Sequence, residues 1–476
     1  MATIANTKDT KRKSAILQVK SFVNRFLKYH RVRDPASSIS GPMDSTELPP
    51  TIAILGAGIG GLALAIGLVK RGVAVTVYEA ADAFSTVGAG IGFGPNSLNA
   101  IDLIDPRFRQ EYDKAKTANE KPEFEHSVFD ALYAEDGFGT RRGWTKGLIG
   151  APYFTRSSAH RKDLLDIMEK LIPPDTVTFN RRAKSIEQVG SKVIINFFNG
   201  ETVTVDAVIG CDGVKGITRG LVLQDTAPEQ VKPTYCNMYI YRGIIPMDEA
   251  KEILGQHAGD AKWFMMREKG VAIYPISQGK EENFVFFVTD HNPWKQGDSP
   301  VACTKEEMLE DLEGFDPRLL KLLDWAKPLK WPTWHHPQTT TYYKGPAGAG
   351  QGLEDAVVLA HLLALVKTPD QLEYAFEVYD SIRRPRAQRV VSTSFEAGII
   401  YTWLDPEIGD DMSKIVENAN QRLHWIWQHD IPGDLEKAES EFMRFVSSSN
   451  CNIQTSMPDN KIHPAMKSSE IAASLS

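Results

Sequence analysis

Cysteine is scarce and scattered. Four thiols, Cys211, Cys236, Cys303 and Cys451, are spread over 476 residues with no Cys-x-x-Cys and no Cys/His ligand spacing. That excludes a zinc ribbon and a dense disulfide framework, and it points to a reducing intracellular compartment with no metal site. Long apolar runs are missing as well. None reaches the ~20 residues that span a bilayer, and the stretch Val357–Val366 carries a histidine, so a soluble, cytoplasmic protein is expected. There is no basic excess: 54 Lys and Arg against 61 Asp and Glu leave a net charge of −7. That argues against a nucleic-acid partner, which needs a basic face. No internal repeat is visible. What remains is an ordinary globular composition, long enough for two interlocked domains with tails.

The two ends differ from the rest. In residues 1–45, Lys8, Lys11, Arg12, Lys13, Lys20, Arg25, Lys28, Arg31 and Arg33 face only Asp9 and Asp34. Ile16, Leu17, Val19, Phe22, Val23, Phe26 and Leu27 recur at helical spacing, so Ser14–Tyr29 reads as a basic amphipathic helix. A mitochondrial presequence, a membrane-surface anchor and a disordered tail all fit it. A start at Met43 fits too, placing a short polar leader before the first strand. After about Ser447 the chain is Ser-rich and poor in apolar residues, and disorder is expected.

The first strong motif follows. Thr51–Leu55 is a short apolar strand, Gly56-Ala57-Gly58-Ile59-Gly60-Gly61 a glycine-rich turn, and Leu62–Arg71 a helix stopped by Gly72. Val73–Tyr78 is a β-branched second strand that Glu79 closes. Strand, turn, helix, strand and acid in this order make the dinucleotide fingerprint. Gly56 allows the tight turn, Gly58 lets backbone approach a pyrophosphate, and Gly61 lets helix and strand pack closely. The helix N-terminus offers free N–H groups and positive dipole to the phosphates. Glu79 is placed to accept hydrogen bonds from ribose hydroxyls. The motif alone does not separate NAD from FAD.

Three further segments narrow the choice. Val87-Gly88-Ala89-Gly90-Ile91-Gly92-Phe93-Gly94 is a glycine run able to pass beside a flat ligand. His160-Arg161-Lys162-Asp163-Leu164-Leu165 opens an amphipathic helix, and "DAVIGCDG" at Asp206–Gly213 is a buried strand ending in Asp212 and a glycine. With these four elements in order, the sequence from about Pro50 to Arg389 resembles the class A flavoprotein monooxygenases, salicylate hydroxylase-like branch, of fungal metabolite pathways. The resemblance implies FAD as cofactor, NAD(P)H and O2 as co-substrates, a small aromatic substrate, and Glu79, Gly92 and Arg161 as FAD contacts. It implies that the Asp212-Gly213 element serves both FAD and the reduced nicotinamide. Taken by itself, Arg161 is a helix N-terminal salt-bridge residue. A single fingerprint loop suits a family with no separate nicotinamide domain.

Tyr235–Ile245 and Lys262–Thr289 alternate and are rich in aromatics, so they read as strands. Two signatures stand out in them, Tyr241-Arg242-Gly243 and Tyr274-Pro275-Ile276. The family implies that Arg242 and Tyr274 face the substrate. An arginine can bind a carboxylate or phenolate bidentately, and a tyrosine hydroxyl can orient the same oxygen. Read without the family, Arg242 is a surface strand residue and Tyr274 a core aromatic.

One departure from the family pattern matters. A strand ending "GD", then "AAHA" and a Pro-rich loop, normally precede the last flavin helix, and that Asp binds the ribityl chain. Here Thr339–Gly345 runs directly into Pro346-Ala347-Gly348-Ala349-Gly350-Gln351-Gly352. Both flanks match and the block between them is absent, as in a spliced-out exon or a degenerate, impaired protein. Gly348 and Ala349 are expected to open the helix and turn their N–H groups to the flavin C2 carbonyl. Asp355, expected about two turns into that helix, does not replace the lost acid.

The expected architecture is α/β: a discontinuous Rossmann-like FAD domain (46–230, with an excursion to the substrate domain near 110–155, and 336–400), an inserted, mostly antiparallel substrate sheet (231–335) and C-terminal helices and tail (401–476). Leu372–Val391 is expected to be helical, with Arg383 and Arg384 at a solvated or salt-bridged end. The expected activity is hydroxylation of a phenol or aromatic acid, with loss of CO2 where a carboxylate lies ortho to a hydroxyl. A flavin dehydrogenase on the same fold is the alternative.

Overall fold

A computed structural model describes residues 49–84, 90–295, 297, 300–345, 347–349 and 352–455. The basic segment 14–29 and the tail beyond Thr455 lie outside them, as do Val87–Ala89 of the glycine run.

Among the described residues, the first half is a six-stranded sheet whose strands lie in the order Tyr343–Lys344, Ala347–Ala349, Ala207–Gly210, Ile52–Leu55, Val75–Tyr78 and Val177–Thr178. Its centre is β1 (Ile52–Leu55), parallel to both β2 (Val75–Tyr78) and β11 (Ala207–Gly210). All four residues of β1 and of β11 are buried, as both-face-covered parallel strands require. β7 (Val177–Thr178) extends one edge beside β2, and β18 (Tyr343–Lys344) and β19 (Ala347–Ala349) form the other. Ile52 and Ile54 point into a cluster with α1 (Ile59–Lys70) and α4 (Gly352–Leu365), whereas Ala53 and Leu55 point the opposite way. There they meet Val193, Ile195, Phe197 and Val205 of a three-stranded meander, β8 (Ala183–Val189), β9 (Lys192–Phe197) and β10 (Thr202–Val205). The period of two along one strand thus feeds two cores.

The second half is an eight-stranded sheet in the order β16-β17-β12-β15-β14-β13-β4-β5. Its strands are β4 (Ser127–Tyr133), β5 (Leu148–Gly150), β12 (Thr234–Pro246), β13 (Lys262–Met266), β14 (Lys269–Ile276), β15 (Glu281–Thr289), β16 (Val301–Ala302) and β17 (Leu329–His335). All pairs are antiparallel except β4 with β13. Register sorts the side chains by face. Tyr239, Tyr241, Phe284, Phe286, Val271, Ile273 and Phe264 bury one face under the short helices Met247–Leu254, Lys305–Asp311 and Pro317–Lys321. Arg242, Phe287, Tyr274, Trp263 and Phe129 lie on the other, since Arg242 pairs with Val285 and Val285 with Ala272. The α/β fold with an inserted, mostly antiparallel sheet is as expected.

Four local expectations need correction. Gly348 and Ala349 do not open a helix: they lie in β19, opposite Ile209 and Gly210 of β11, and α4 starts at Gly352. The free edge of β11 satisfies their backbone in a way local sequence does not reveal. Asp355 therefore sits in the first turn of α4, not two turns in. The helix predicted over Leu372–Val391 runs on as α5 (Leu372–Tyr401), because Thr393, Ala397 and Ile400 are buried against the sheet. Arg383 is thus mid-helix and buried, bound to Glu354 and Asp355 at 2.8 Å each and to Asp434 at 3.2 Å. Finally, the expectation of disorder from about Ser447 does not hold as far as Thr455, where α7 (Ile431–Thr455) ends; the residues after it lie outside the described ones. α6 (Met412–Trp427) completes the C-terminal layer.

Candidate active site

The first cleft, about 300 Å³, opens at the C-terminal ends of β1, β2 and β11. Gly56, Gly58, Glu79 and Asp212 line it together with Arg181, Arg182 and Lys215. Gly56 has φ +101°, and a Cβ on it would fall 2.3 Å from the Cys211 carbonyl oxygen. A Cβ on Gly61 would come within 2.0 Å of the Gly56 carbonyl oxygen, so Gly61 is a packing residue behind the cleft. A Cβ on Gly58 would meet nothing within 4 Å, which leaves that backbone open to a ligand at the N-terminus of α1. Glu79 accepts hydrogen bonds from the Ala57 N–H at 2.7 Å and the Ala81 N–H at 2.8 Å. Its carboxylate therefore ties the second strand to the glycine turn and keeps lone pairs toward the cleft. Asp212 turns one oxygen to the Thr218 N–H (3.0 Å) and hydroxyl (2.9 Å), fixing the helix Thr218–Leu223.

The second region lies on the aromatic face of the eight-stranded sheet, under α5 and α6. Two adjoining cavities of about 350 and 260 Å³ share Val128, Phe129 and Leu423. The larger is walled by Trp263, Phe287, Tyr401 and Ile426, the smaller by Gly92, Phe93, Phe154, Tyr274, Arg156 and Trp427. Tyr274 donates its hydroxyl hydrogen to the Gly90 carbonyl at 2.7 Å, and Asn283 accepts the Gly90 N–H at 2.8 Å. β3 (Gly90–Gly92), paired with β6 (Ser158–His160), is thereby pinned to the eight-stranded sheet. A Cβ on Gly90 would lie 2.6 Å from the Tyr274 ring, so glycine is required for this contact. Arg161 begins α2 (Arg161–Glu169), whose N-cap His160 accepts the Lys162 N–H. Arg242 is half-buried with its guanidinium 4.1 Å from the Trp331 ring centre. Burial and the nearby charge of Arg161 both lower its pKa.

Residues 50–316 match the family model described as FAD binding domain. A FAD-dependent monooxygenase of Gibberella moniliformis is 40% identical over 422 residues, 82% of this chain and 96% of that protein. The chain belongs to the class A FAD-dependent aromatic monooxygenases. A salicylate hydroxylase of Pseudomonas putida is 32% identical, covering 81% of this chain and 93% of that one. A 6-methylsalicylate 1-monooxygenase of Aspergillus terreus is 30% identical over 85% and 95%. A solved salicylate hydroxylase–substrate complex aligns with TM-score 0.71 and 27% identity, over 82% of this chain and 98% of that structure. This monooxygenase uses FAD, and the first cleft fits its adenosine end: Gly58 leaves open space at the N-terminus of α1, and Glu79 lines the same cleft.

The sequence-predicted residues do not all converge. Gly56, Gly58, Glu79 and Asp212 meet in the first cleft, with Gly61 packed behind it. Gly92 and Tyr274 meet at the smaller cavity, and Arg161 approaches Arg242. Gly348 and Ala349 lie in β19, paired with Ile209 and Gly210 of β11. Sequence reasoning missed Arg181 and Arg182, which follow the short strand β7, and it missed Arg156. One signal for the chamber was present: Thr393, Ser394, Ala397 and Gly398 form a small-residue patch at helical spacing on α5, which leaves room above the sheet.

Among the described residues no helix is long and apolar enough to cross a membrane.

Proposed function

We propose that this monooxygenase hydroxylates a one-ring phenol or aromatic acid in the chamber between the eight-stranded sheet and α5–α6, with NAD(P)H and O2 as co-substrates. The observation that carries this reading is the join at Tyr274. One residue pins the glycine strand of the FAD half and lines the aromatic cavity. For a hydroxy acid with the two groups ortho, attack at the carboxyl-bearing carbon gives a balanced reaction: hydroxybenzoate, NAD(P)H, O2 and two protons yield the diphenol, CO2, water and NAD(P)+. FAD, when bound, supplies the redox chemistry that splits O2 into water and the inserted oxygen atom.

The chain's own groups bind and orient. Arg242, which lacks a carboxylate partner among the described residues, stabilises a substrate phenolate, raising electron density on the ring. Its neighbour Arg161 faces the FAD side. Because the Tyr274 hydrogen is committed to Gly90, its oxygen serves as an acceptor for a substrate hydroxyl. The walls of Phe129, Trp263, Phe287 and Tyr401 exclude water, which limits wasteful release of hydrogen peroxide. Asp212, Gly348 and Ala349 serve the FAD side in this reading. The likeness to fungal monooxygenases supports a role in secondary metabolism.

The test is turnover of salicylate and 6-methylsalicylate by the FAD-supplemented chain under labelled O2, following product mass and CO2. One labelled oxygen per product molecule supports the proposal. NAD(P)H oxidation with no labelled product from any one-ring phenol or acid would replace it with a flavin dehydrogenase.

A further inference from the structure

We propose that Arg156 is the anchor for the substrate's carboxylate, and so the residue that makes this chamber select acids over neutral phenols. The assignment rests on the proposed function and deepens it. It starts from a cation without a counter-ion. Arg156 lies in the loop before β6 and is 4% exposed. Nη1 donates to the Val128 carbonyl oxygen at 2.7 Å. Nε is buried with no hydrogen-bond partner. Among the described residues no carboxylate comes within ion-pair reach of the guanidinium, which is held between the rings of Phe129 (5.1 Å) and Tyr274 (4.7 Å).

The unused side of this group faces the cavity. Arg156 lines the space of about 260 Å³ with Gly92, Phe93, Phe154 and Trp427. A Cβ on Gly92 would lie 3.5 Å from Nη2, so glycine there keeps the guanidinium accessible. Phe154 and Trp427, stacked at 4.8 Å and 11°, form an opposing flat wall. The volume lies just under the range of drug-sized sites, which suits a single ring carrying a carboxylate.

The neighbouring titratable groups do not neutralise the cation. Tyr112 and Tyr274 are buried phenols with raised pKa values, Tyr112 being pushed up to about 12. Burial pushes the Glu282 carboxyl up to about 8, so it is mostly protonated at neutral pH. Arg156 itself, lowered by burial to about 10, remains charged. A buried guanidinium with idle donors calls for an anion, and the opening provides for one from outside the chain.

The experiment compares salicylate with salicylamide, which keeps the ring and hydroxyl but has no charge. Both are titrated against the full chain with excess FAD by tryptophan fluorescence, Trp427 being in the wall. The wild-type chain should prefer salicylate by about tenfold or more, the scale of a hydrogen bond to a charged group. Arg156→Met should abolish that preference by weakening salicylate alone, and Arg156→Lys should keep part of it. Equal or undetectable binding of both ligands by the wild type, or an unchanged preference in Arg156→Met, overturns the assignment. If Arg156→Met does not fold, Arg156→Lys decides: an unreduced preference there also overturns it. Because the readout is binding, the two proposals can fail separately. Arg156-dependent binding without oxygen incorporation would defeat the proposed function only.

Discussion

Glu79 offers the most direct check on the adenosine site. Its two carboxylate oxygens each accept a backbone N–H, from Ala57 at 2.7 Å and Ala81 at 2.8 Å. Both bonds are charge-assisted, and each oxygen keeps a lone pair for a ribose hydroxyl. Glu79→Ala removes the ribose acceptors and also loosens the glycine turn that presents Gly58. A lost hydrogen bond to a charged group is worth about 1.5–3 kcal/mol, so the Kd for FAD should rise between roughly 10- and 150-fold. Glu79→Gln keeps one acceptor and the shape, and should fall between wild type and Ala. Flavin fluorescence quenching reads Kd, and thermal unfolding of the cofactor-free variants separates binding from folding. Ala57 is buried, but its neighbours Gly56 and Gly58 line the cleft, so the freed N–H should cost apo stability about 1–2 kcal/mol. A Glu79→Ala chain whose Kd for FAD stays within about twofold of wild type would refute the ribose assignment.

Two further expectations address the substrate face and the C-terminal helices. Arg242→Ala should leave FAD affinity nearly unchanged but divert NAD(P)H oxidation from hydroxylated product to hydrogen peroxide; loss of FAD in this variant would show that Arg242 serves the cofactor instead. Glu354 gives a pH signature. Burial alone would raise its pKa, but hydrogen bonding to Arg386 and the charges of Arg383 and Arg386 win, lowering it from 4.5 to about 2. A lowered folded-state pKa means stability that is full above about pH 4.5 and lost as pH falls toward 2. Urea unfolding of wild type and Glu354→Gln between pH 6 and 2 should show a steeper acid decline in the wild type, and equal slopes would count against the network.

What could be read from sequence depended on how local each determinant is. The fingerprint Gly56–Gly61, the strand it follows and Glu79 are neighbours along the chain, and each residue choice has one backbone reason. The strands of the aromatic sheet were legible by alternation, because one face is core and the other a chamber. Arg156 was not legible. Its surroundings come from Val128, Phe129, Tyr274 and Trp427, three separate stretches of chain, and the polar run around it carries no periodicity. Gly348 and Ala349 were misplaced for a related reason. A glycine–alanine run has no intrinsic helix start, and the vacant edge of β11 decided its conformation. In α5, Thr393 and Ser394 mark a poor helix former locally, but burial against the chamber carries the helix to Tyr401.

The same edge bears on the block lacking between Gly345 and Ala347. The hairpin of β18 and β19 covers β11 with a short parallel strand, so the hydrophobic sheet core is closed despite the shortened connection. What is not restored is an acid at the end of that strand. Asp355 is 5% exposed and its Oδ1 accepts from Arg383 Nε at 2.8 Å, while Glu354 binds Arg383, Arg386 and Asn96. Freeing either carboxylate for a ribityl hydroxyl would break one of the three ion pairs that hold the buried guanidinium of Arg383, which costs stability. On the proposed assignment the two halves of FAD would be served unequally: Gly58 and Glu79 are there for the pyrophosphate and ribose, whereas both acids of the first turn of α4 are engaged by arginine. We expect FAD to bind weakly and the flavin ring to be held loosely, so that hydrogen peroxide exceeds hydroxylated product. Inserting a family-like strand–Gly-Asp–loop block between Gly345 and Ala347 should tighten FAD and shift oxidation toward product. The paired measurement is FAD Kd and the ratio of product to NAD(P)H consumed, with and without the block. Tight FAD and full coupling in the chain as it stands would mean that another residue has taken over the ribityl contact.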